Sequence, residues 1–305
     1  MFLRPALLSV AAFVTKMDMS GLTCGSISVP GESPIRSATA PNNEVDAILD
    51  PAAVWKEKEV ANAFTDIRES VPLAKEQLDL MVRIIKTFHQ PNGGARPFTW
   101  LDLGCGDGPL GRALLEAFPD SQGTFLDFSE PMLETAKSKI DAMGMTHRVS
   151  LVQGDLSSPR WMEALNQQQP KVDAIVSGFA IHHLTNERKQ ALYQELYDML
   201  SPGGVFLNLE HVASPSLEVE KIFDGAFVDS MHRHFEGAKT YEECEQAVYY
   251  DLNVDAEANI VVSAETQCEW LRSCGFQHVD IYLKYLILAL FGGVKKQEDE
   301  ASAPL

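Results

Sequence analysis

The residues best suited to chemistry fall in a few short stretches. "LDLGCGDGPLG", Leu101 to Gly111, sets Gly104, Gly106 and Gly108 at two-residue steps, with Asp102 and Asp107 on either side. "SGFAIHHL" carries His182 and His183, "LNLEHV" carries Glu210 and His211, and "MHRHF" carries His232 and His234. An apolar run, "FTWLDL", enters the glycine stretch and a helical pattern, "LGRALLEAF", leaves it. That is a strand, a tight turn and a helix, the opening unit of a nucleotide-binding α/β sheet. The spacing fits neither common phosphate loop. A dinucleotide loop would place its third glycine at Pro109, and a P-loop would need Lys and Ser/Thr where Pro109 and Leu110 stand.

The charges narrow the ligand further. A pyrophosphate seeks the positive end of a helix, and Asp102 and Asp107 would repel it there. S-adenosylmethionine has no phosphate and carries a sulfonium and an ammonium group, so carboxylates near the loop suit it. The other strand ends fall where its nucleoside needs contacts. Asp127 closes "GTFLDF", where an acid accepts ribose hydroxyls. Asp155 and Leu156 in "QGDL" are placed for the adenine amino group and ring. Ser177 and Gly178 end the fourth strand, beside the methionine arm.

Methyl transfer from a sulfonium needs alignment above all, and a base only where the acceptor must lose a proton. His211 is the first candidate for that base, with Glu210 and His182 next, because a charged pair closing a buried strand needs partners. A base of ordinary imidazole character would slow the reaction below about pH 6.5. Arg68 could hold an acceptor carboxylate, and His183, Tyr241, Tyr250 and Tyr285 could line the acceptor's side of the site. His211 with Glu210 and His232 or His234 would make a two-histidine, one-carboxylate metal set. Spacing argues against it, because H-x-H on a helix points the two rings apart, and no metal is expected.

Positioning these residues requires alternating elements. Strand "FTWLDL" precedes helix Leu110–Phe118, "GTFLDF" precedes helix Pro131–Met143, and "VSLVQGDL" precedes a helix in "RWMEALNQQ". "VDAIVSGF" precedes the helix "NERKQALYQELYDML", and "GGVFLNLEHV" is fifth. Such alternation predicts an α/β fold, a doubly wound and mainly parallel sheet of seven strands. "HVDIYLKYLILALFGGVK" predicts an antiparallel C-terminal hairpin at the sheet edge. Before the sheet, "VWKEKEVANAFTDI" and "LAKEQLDLMVRIIKTF" predict a helical cap; Leu78, Met81, Ile85 and Phe88 form one apolar stripe. The divisions are an extension over 1–45 that is disordered or targeting-like, a domain over 46–296, and a flexible tail over 297–305. Within the domain, 46–92 is the cap and 214–258 a substrate-side insert.

Composition bounds the partners. The chain has 305 residues, 45% apolar composition and a formal charge of −18, from 43 acids against 25 bases. Without a basic run, that surface disfavours nucleic acid, and no apolar run reaches the length of a membrane span. Five cysteines with no C-x-x-C pair read as reduced thiols and a cytoplasmic protein; import into an organelle would follow if "MFLRPALLSVAAFVTK" is a transit peptide. The expected partner is a small-molecule substrate, and a homodimer is compatible with the chain.

"LDLGCGDG", "LDFSEPML", "QGDL", "SGFAIHHL" and "LSPGGVFLNLEHV" together resemble the class I S-adenosylmethionine-dependent methyltransferases. The resemblance runs from about Trp55 to Lys296. It implies Gly104, Cys105 and Gly106 as the cofactor loop, Phe128 and Met132 beside Asp127, and Asp155 with Leu156 at the adenine. "FTDIRESVP", "FDGAFVDSMHRHF" and "SAETQCEWLRSCGFQHVDIYLKYLILALFGG" resemble, more closely, the carboxy-S-adenosylmethionine synthases of the wobble-uridine tRNA pathway. That branch implies a carboxylated cofactor made with prephenate and held by an arginine. At the matching place this chain reads "EQAVYYDLNV", with Tyr249 and Tyr250. Leu73 and Ala74 stand where that branch has a tyrosine, and Gly178 where it has a polar residue. The expected activity is therefore ordinary methyl transfer on the shared architecture; the alternatives are the synthase and a binding module without turnover.

Overall fold

The computed structural model describes residues 67–89, 96–165, 171–248 and 259–297. Its elements follow the predicted alternation. Helix α1 (Ala74–Phe88) precedes β1 (Thr99–Leu103), α2 (Pro109–Ala117), β2 (Gln122–Asp127), α3 (Glu130–Ala142) and β3 (Val149–Gln153). Strand β4 (Val172–Gly178), α4 (Asn186–Met199) and β5 (Leu200–His211) complete the parallel part. Helices α5 (Leu217–His234), α6 (Tyr241–Gln246) and α7 (Ala264–Ser273) come next, followed by β6 (Gln277–Tyr285) and β7 (Leu288–Val294).

The seven strands lie in the order β3-β2-β1-β4-β5-β7-β6. β1 to β5 pair in parallel, and β7 runs antiparallel between β5 and β6. The chain leaves β1 for β2 and β3 on one side and returns to β4 on the other, so the sheet reverses direction at β1. Ligands bind at such a switch point in open α/β sheets.

Alternation along the strands divides the core. Trp100, Ala174, Val176, Val205 and Leu207 pack on one face, while Leu101, Leu103, Ile175 and Phe206 pack on the other. Strands covered on both faces need near-continuous apolar runs, which is why "VDAIV" and "GVFLNL" show no polar alternation.

Two expectations are corrected. "RWMEALNQQ" gives only a 3₁₀ turn, Trp161–Leu165, with its indole donating to Glu195 Oε2 at 2.7 Å; residues 166–170 lie outside the described set. Helix α7, which packs on β6 and β7, stands where the sequence pattern predicts no element. Its signal was present: Ser263 caps it by accepting from Thr266 N, and Ala264, Gln267, Cys268 and Leu271 form its buried stripe. Of the expected helical cap, residues 46–66 lie outside the described set; α1 forms as predicted, with Met81, Ile84 and Ile85 buried. No helix among the described residues is long and apolar enough to cross a membrane.

Candidate active site

The strand ends singled out by the sequence all lie at the carboxyl edge of the parallel strands. After Leu103 the backbone makes three left-handed steps, at Gly104 (φ +60), Gly106 (φ +54) and Gly108 (φ +81). The loop hangs from β2: Cys105 N donates to Leu126 O at 3.0 Å, and Gly106 N donates to Asp127 Oδ2 at 2.8 Å. A Cβ on Gly104 would lie 2.3 Å from Ala180 Cβ, so glycine lets the loop close onto the β4 end. A Cβ on Gly106 would meet nothing within 4 Å, so the space above it is open to a ligand. Leu156 lies beside Gly104, and Met132 is buried at the start of α3, whose cap is Ser129.

The carboxylates differ in what they do. Asp127 also accepts Ser129 N at 2.8 Å, and burial raises its pKa. Each carboxylate oxygen has a second lone pair, so Asp127 keeps acceptor capacity for hydroxyls. Asp102 lies under the loop and accepts Gly111 N at 2.8 Å; burial pushes its pKa up to about 7. Asp155 is exposed and accepts Ser157 N at 2.8 Å. Phe128 and Gly178 sit half-buried at the ends of β2 and β4.

Asp107 is not available to a cationic ligand as the sequence suggested. Arg68 donates to its Oδ1 at 3.1 Å, Lys139 lies 2.7 Å from Oδ2, and Arg112 lies 3.6 Å from Oδ2. Burial works against its ionisation, but Arg68 and Lys139 hold its pKa below the ordinary range. Arg68, expected to hold an acceptor carboxylate, is instead spent on this pair, because a buried guanidinium needs a counter-charge close by. Ser177 is likewise taken up by the sheet, its hydroxyl donating to Leu103 O at 2.8 Å.

The histidines form one cluster at the ends of β4 and β5. His182 Nδ1 lies 2.6 Å from Glu210 Oε1, and both side chains are buried. Glu210 Oε1 also accepts His211 N at 2.9 Å, and Asn208 Nδ2 approaches Oε2 at 3.4 Å. Burial opposes the charge on Glu210, but His182 and the His211 amide bring its pKa below the ordinary value. An ionised carboxylate only accepts, so Nδ1 of His182 carries the proton, and in the neutral ring Nε2 carries the lone pair. The ring of His182 lies 3.9 Å from that of His183 and 5.8 Å from that of His211. Burial and then His182 push the pKa of His211 down to about 4. A ring so depressed is a weak base, and it is His182 rather than His211 whose ring meets the Glu210 carboxylate.

Aromatic side chains from α5 and the hairpin cover this edge. Phe223, Ile287 and Leu288 are buried together, with Val71, Phe179, Phe227 and Tyr285 packed against them. Phe179 ends β4 with φ +53, a conformation that a non-glycine residue adopts only when its surroundings impose it. Tyr285 thus packs into this apolar group, whereas Tyr241, which is exposed, donates to Asp229 Oδ1 at 3.0 Å. Tyr250 lies outside the described residues. His232 meets Tyr241 and His234 meets Phe235, rather than joining His211. Among the described residues no group of three His, Cys, Asp or Glu side chains is placed to hold a metal ion. One functional candidate went unnoticed in the sequence. Lys189 is fully buried on α4, and its position in the stripe with Leu192, Leu196 and Met199 was the available signal.

Residues 101–204, which contain the loop and the first four strand ends, match the family model of a methyltransferase domain. Residues 101–204 carry a methyltransferase domain. The chain is 26% identical over 248 residues to the carboxy-S-adenosyl-L-methionine synthase of Klebsiella pneumoniae subsp. pneumoniae, covering 79% of this chain and 91% of that protein. It is similar in fold to the CurJ carbon methyltransferase, with TM-score 0.57 at 13% identity, covering 82% of this chain and 62% of that one. An O-methyltransferase family protein from Burkholderia thailandensis gives TM-score 0.52 at 15% identity, covering 83% and 64%. The chain spans less than two thirds of either structure. One fold therefore serves a carbon and an oxygen methyltransferase, and it leaves the acceptor atom open. S-adenosylmethionine is the cofactor expected of a methyltransferase domain. The residues fit it: open space over Gly106, acceptor capacity on Asp127, and Asp102 beneath the loop.

Proposed function

We propose that the chain methylates a small-molecule acceptor that must lose a proton, with His182 as the base and Glu210 as its orienting partner. The 2.6 Å contact between His182 Nδ1 and buried Glu210 carries this reading. S-adenosylmethionine supplies an electrophilic methyl group on its sulfonium. The chain's part is to align the acceptor and to take its proton. Nε2 of His182 accepts that proton, and the resulting imidazolium is stabilised by the Glu210 carboxylate already bonded to Nδ1. The proton then passes to solvent as the product leaves. The apolar wall of Phe179, Phe223, Phe227 and Tyr285 supports an acceptor with an apolar body. The charge of −18 supports a small molecule over a nucleic acid.

The test is incubation with a labelled methyl donor and a metabolite extract, followed by mass spectrometry of the products. His182→Ala should lower turnover on the acceptor so identified by about 100-fold or more, with S-adenosylmethionine affinity nearly unchanged. Wild-type turnover in His182→Ala would remove the base from this residue.

Carboxylated-cofactor synthesis is a second reading, supported by similarity across 91% of the Klebsiella synthase. Against it stands "EQAVYYDLNV", which has no arginine to balance a ligand carboxylate. Arg68 offers no replacement while it is paired to Asp107.

A further inference from the structure

Residues 259–263 cross the carboxyl edge of the sheet between the two loops that bear the histidine cluster. Ile260 N donates to His182 O at 2.9 Å, and Ala213 N, two residues past His211, donates to Val262 O at 3.2 Å. One side chain fastens this segment from below. Lys189 has no exposed surface, and its ammonium donates to Leu184 O at 2.7 Å, to Ile260 O, and to Asn186 Oδ1 at 3.4 Å. These partners are neutral oxygens, and burial pushes the amine's pKa down to about 8. Burying an ammonium without a bonded carboxylate is costly. A leucine or methionine would fill this stripe of α4 without that cost. What the lysine adds is three directed donors that join α4, the His182 loop and residue 260.

We propose that Lys189 is a positioning residue for His182: by clamping Ile260 O to Leu184 O, it fixes the segment that grips the His182 backbone and so holds the ring against Glu210. The inference rests on the reading of His182 as the base, yet its test does not require turnover. Three elements must agree for the His182–Glu210 contact to form. The Glu210 carboxylate is fixed by β5, the His182 ring by its own loop, and that loop by Ile260. Lys189 sets the third.

The experiment compares wild type, Lys189→Met and Lys189→Gln by NMR, with S-adenosylmethionine titration confirming in each that the cofactor site is folded. Wild type should show His182 as the single Nδ1–H tautomer and a protected Ile260 amide. In Lys189→Met the two tautomers should mix, and Ile260 amide exchange should speed up at least tenfold, while cofactor affinity stays within threefold. Lys189→Gln keeps donors without the charge and should restore much of both signals; it also carries the test if the Met variant fails to bind cofactor. A variant that binds cofactor and keeps the wild-type tautomer and Ile260 protection would overturn the proposal. Wild-type protein without a fixed Nδ1–H tautomer would instead remove the base assignment to His182, leaving Ile260 protection to decide the clamp.

Discussion

Two neighbouring residues of β5, Glu210 and His211, have opposite fates because a strand sends successive side chains to opposite faces. Glu210 points into the cluster and stays ionised against His182; His211 is half-buried without a bonded counter-charge on its ring and resists protonation. The sign of the pH effect follows. Below about pH 6.5 the unfolded chain protonates this histidine while the folded chain does not until about pH 4. Unfolding free energy should therefore decline as pH falls across that window, by on the order of 2–3 kcal/mol. Denaturant melts of wild type and His211→Asn at pH 7, 5.5 and 4 would read the slope, and equal slopes would show that His211 does not cause it.

Loops and helices set which glycines and charges are indispensable. Gly104 and Gly106 share a left-handed backbone, but only Gly104 is crowded by Ala180. Gly104→Ala should abolish cofactor binding or unfold the loop, whereas Gly106→Ala bears only the backbone strain, about 1–2 kcal/mol. Calorimetric titration of both variants with S-adenosylmethionine measures the contrast; equal affinities would mean that the loop does not close on β4. Asp107 joins the residues before α1 to the loop, α2 and α3 through Arg68, Arg112 and Lys139. Ile67, next to Arg68, packs against Val228, Met231 and Cys244 of α5 and α6, so the same short segment also reaches the insert. Asp107→Asn leaves buried Arg68 without its carboxylate and should cost about 3 kcal/mol of unfolding free energy. Because the folded pKa of Asp107 is lowered, its contribution is complete above the unfolded value near 3.9 and is lost as pH falls through the lower folded value. Acid melts of the variant should accordingly lack that part of the wild-type slope.

The whole molecule combines a sheet that reverses at β1 with a cover of α5, α6 and the hairpin. Fold alone does not fix an acceptor, so the reaction has to be read from the site residues. Purified protein incubated with S-adenosylmethionine and prephenate should give no carboxylated cofactor by mass spectrometry. The missing arginine in "EQAVYYDLNV" motivates that expectation; product formed at rates near methyl transfer would reverse the order of the two readings.

The sequence by itself determined the sheet, its antiparallel edge and the cofactor loop, because each rests on local pattern. Apolar runs marked "FTWLDL" and "VDAIV", and glycine spacing marked the turn at 104–108. Helix α4 was legible too, from its period and Thr185 cap, yet the meaning of Lys189 was not. A lysine in "NERKQAL" reads as a solvated helix residue until Ile260, distant along the chain, is brought over it. The same holds for Arg68, whose partner Asp107 belongs to another element, and for His182, whose role depends on Glu210 across the sheet. Spacing told which residues could titrate or donate. Which of them meet one another, and in what protonation state, was decided by tertiary structure, since burial and partner distance set protonation and hydrogen bonding, and both are long-range in sequence.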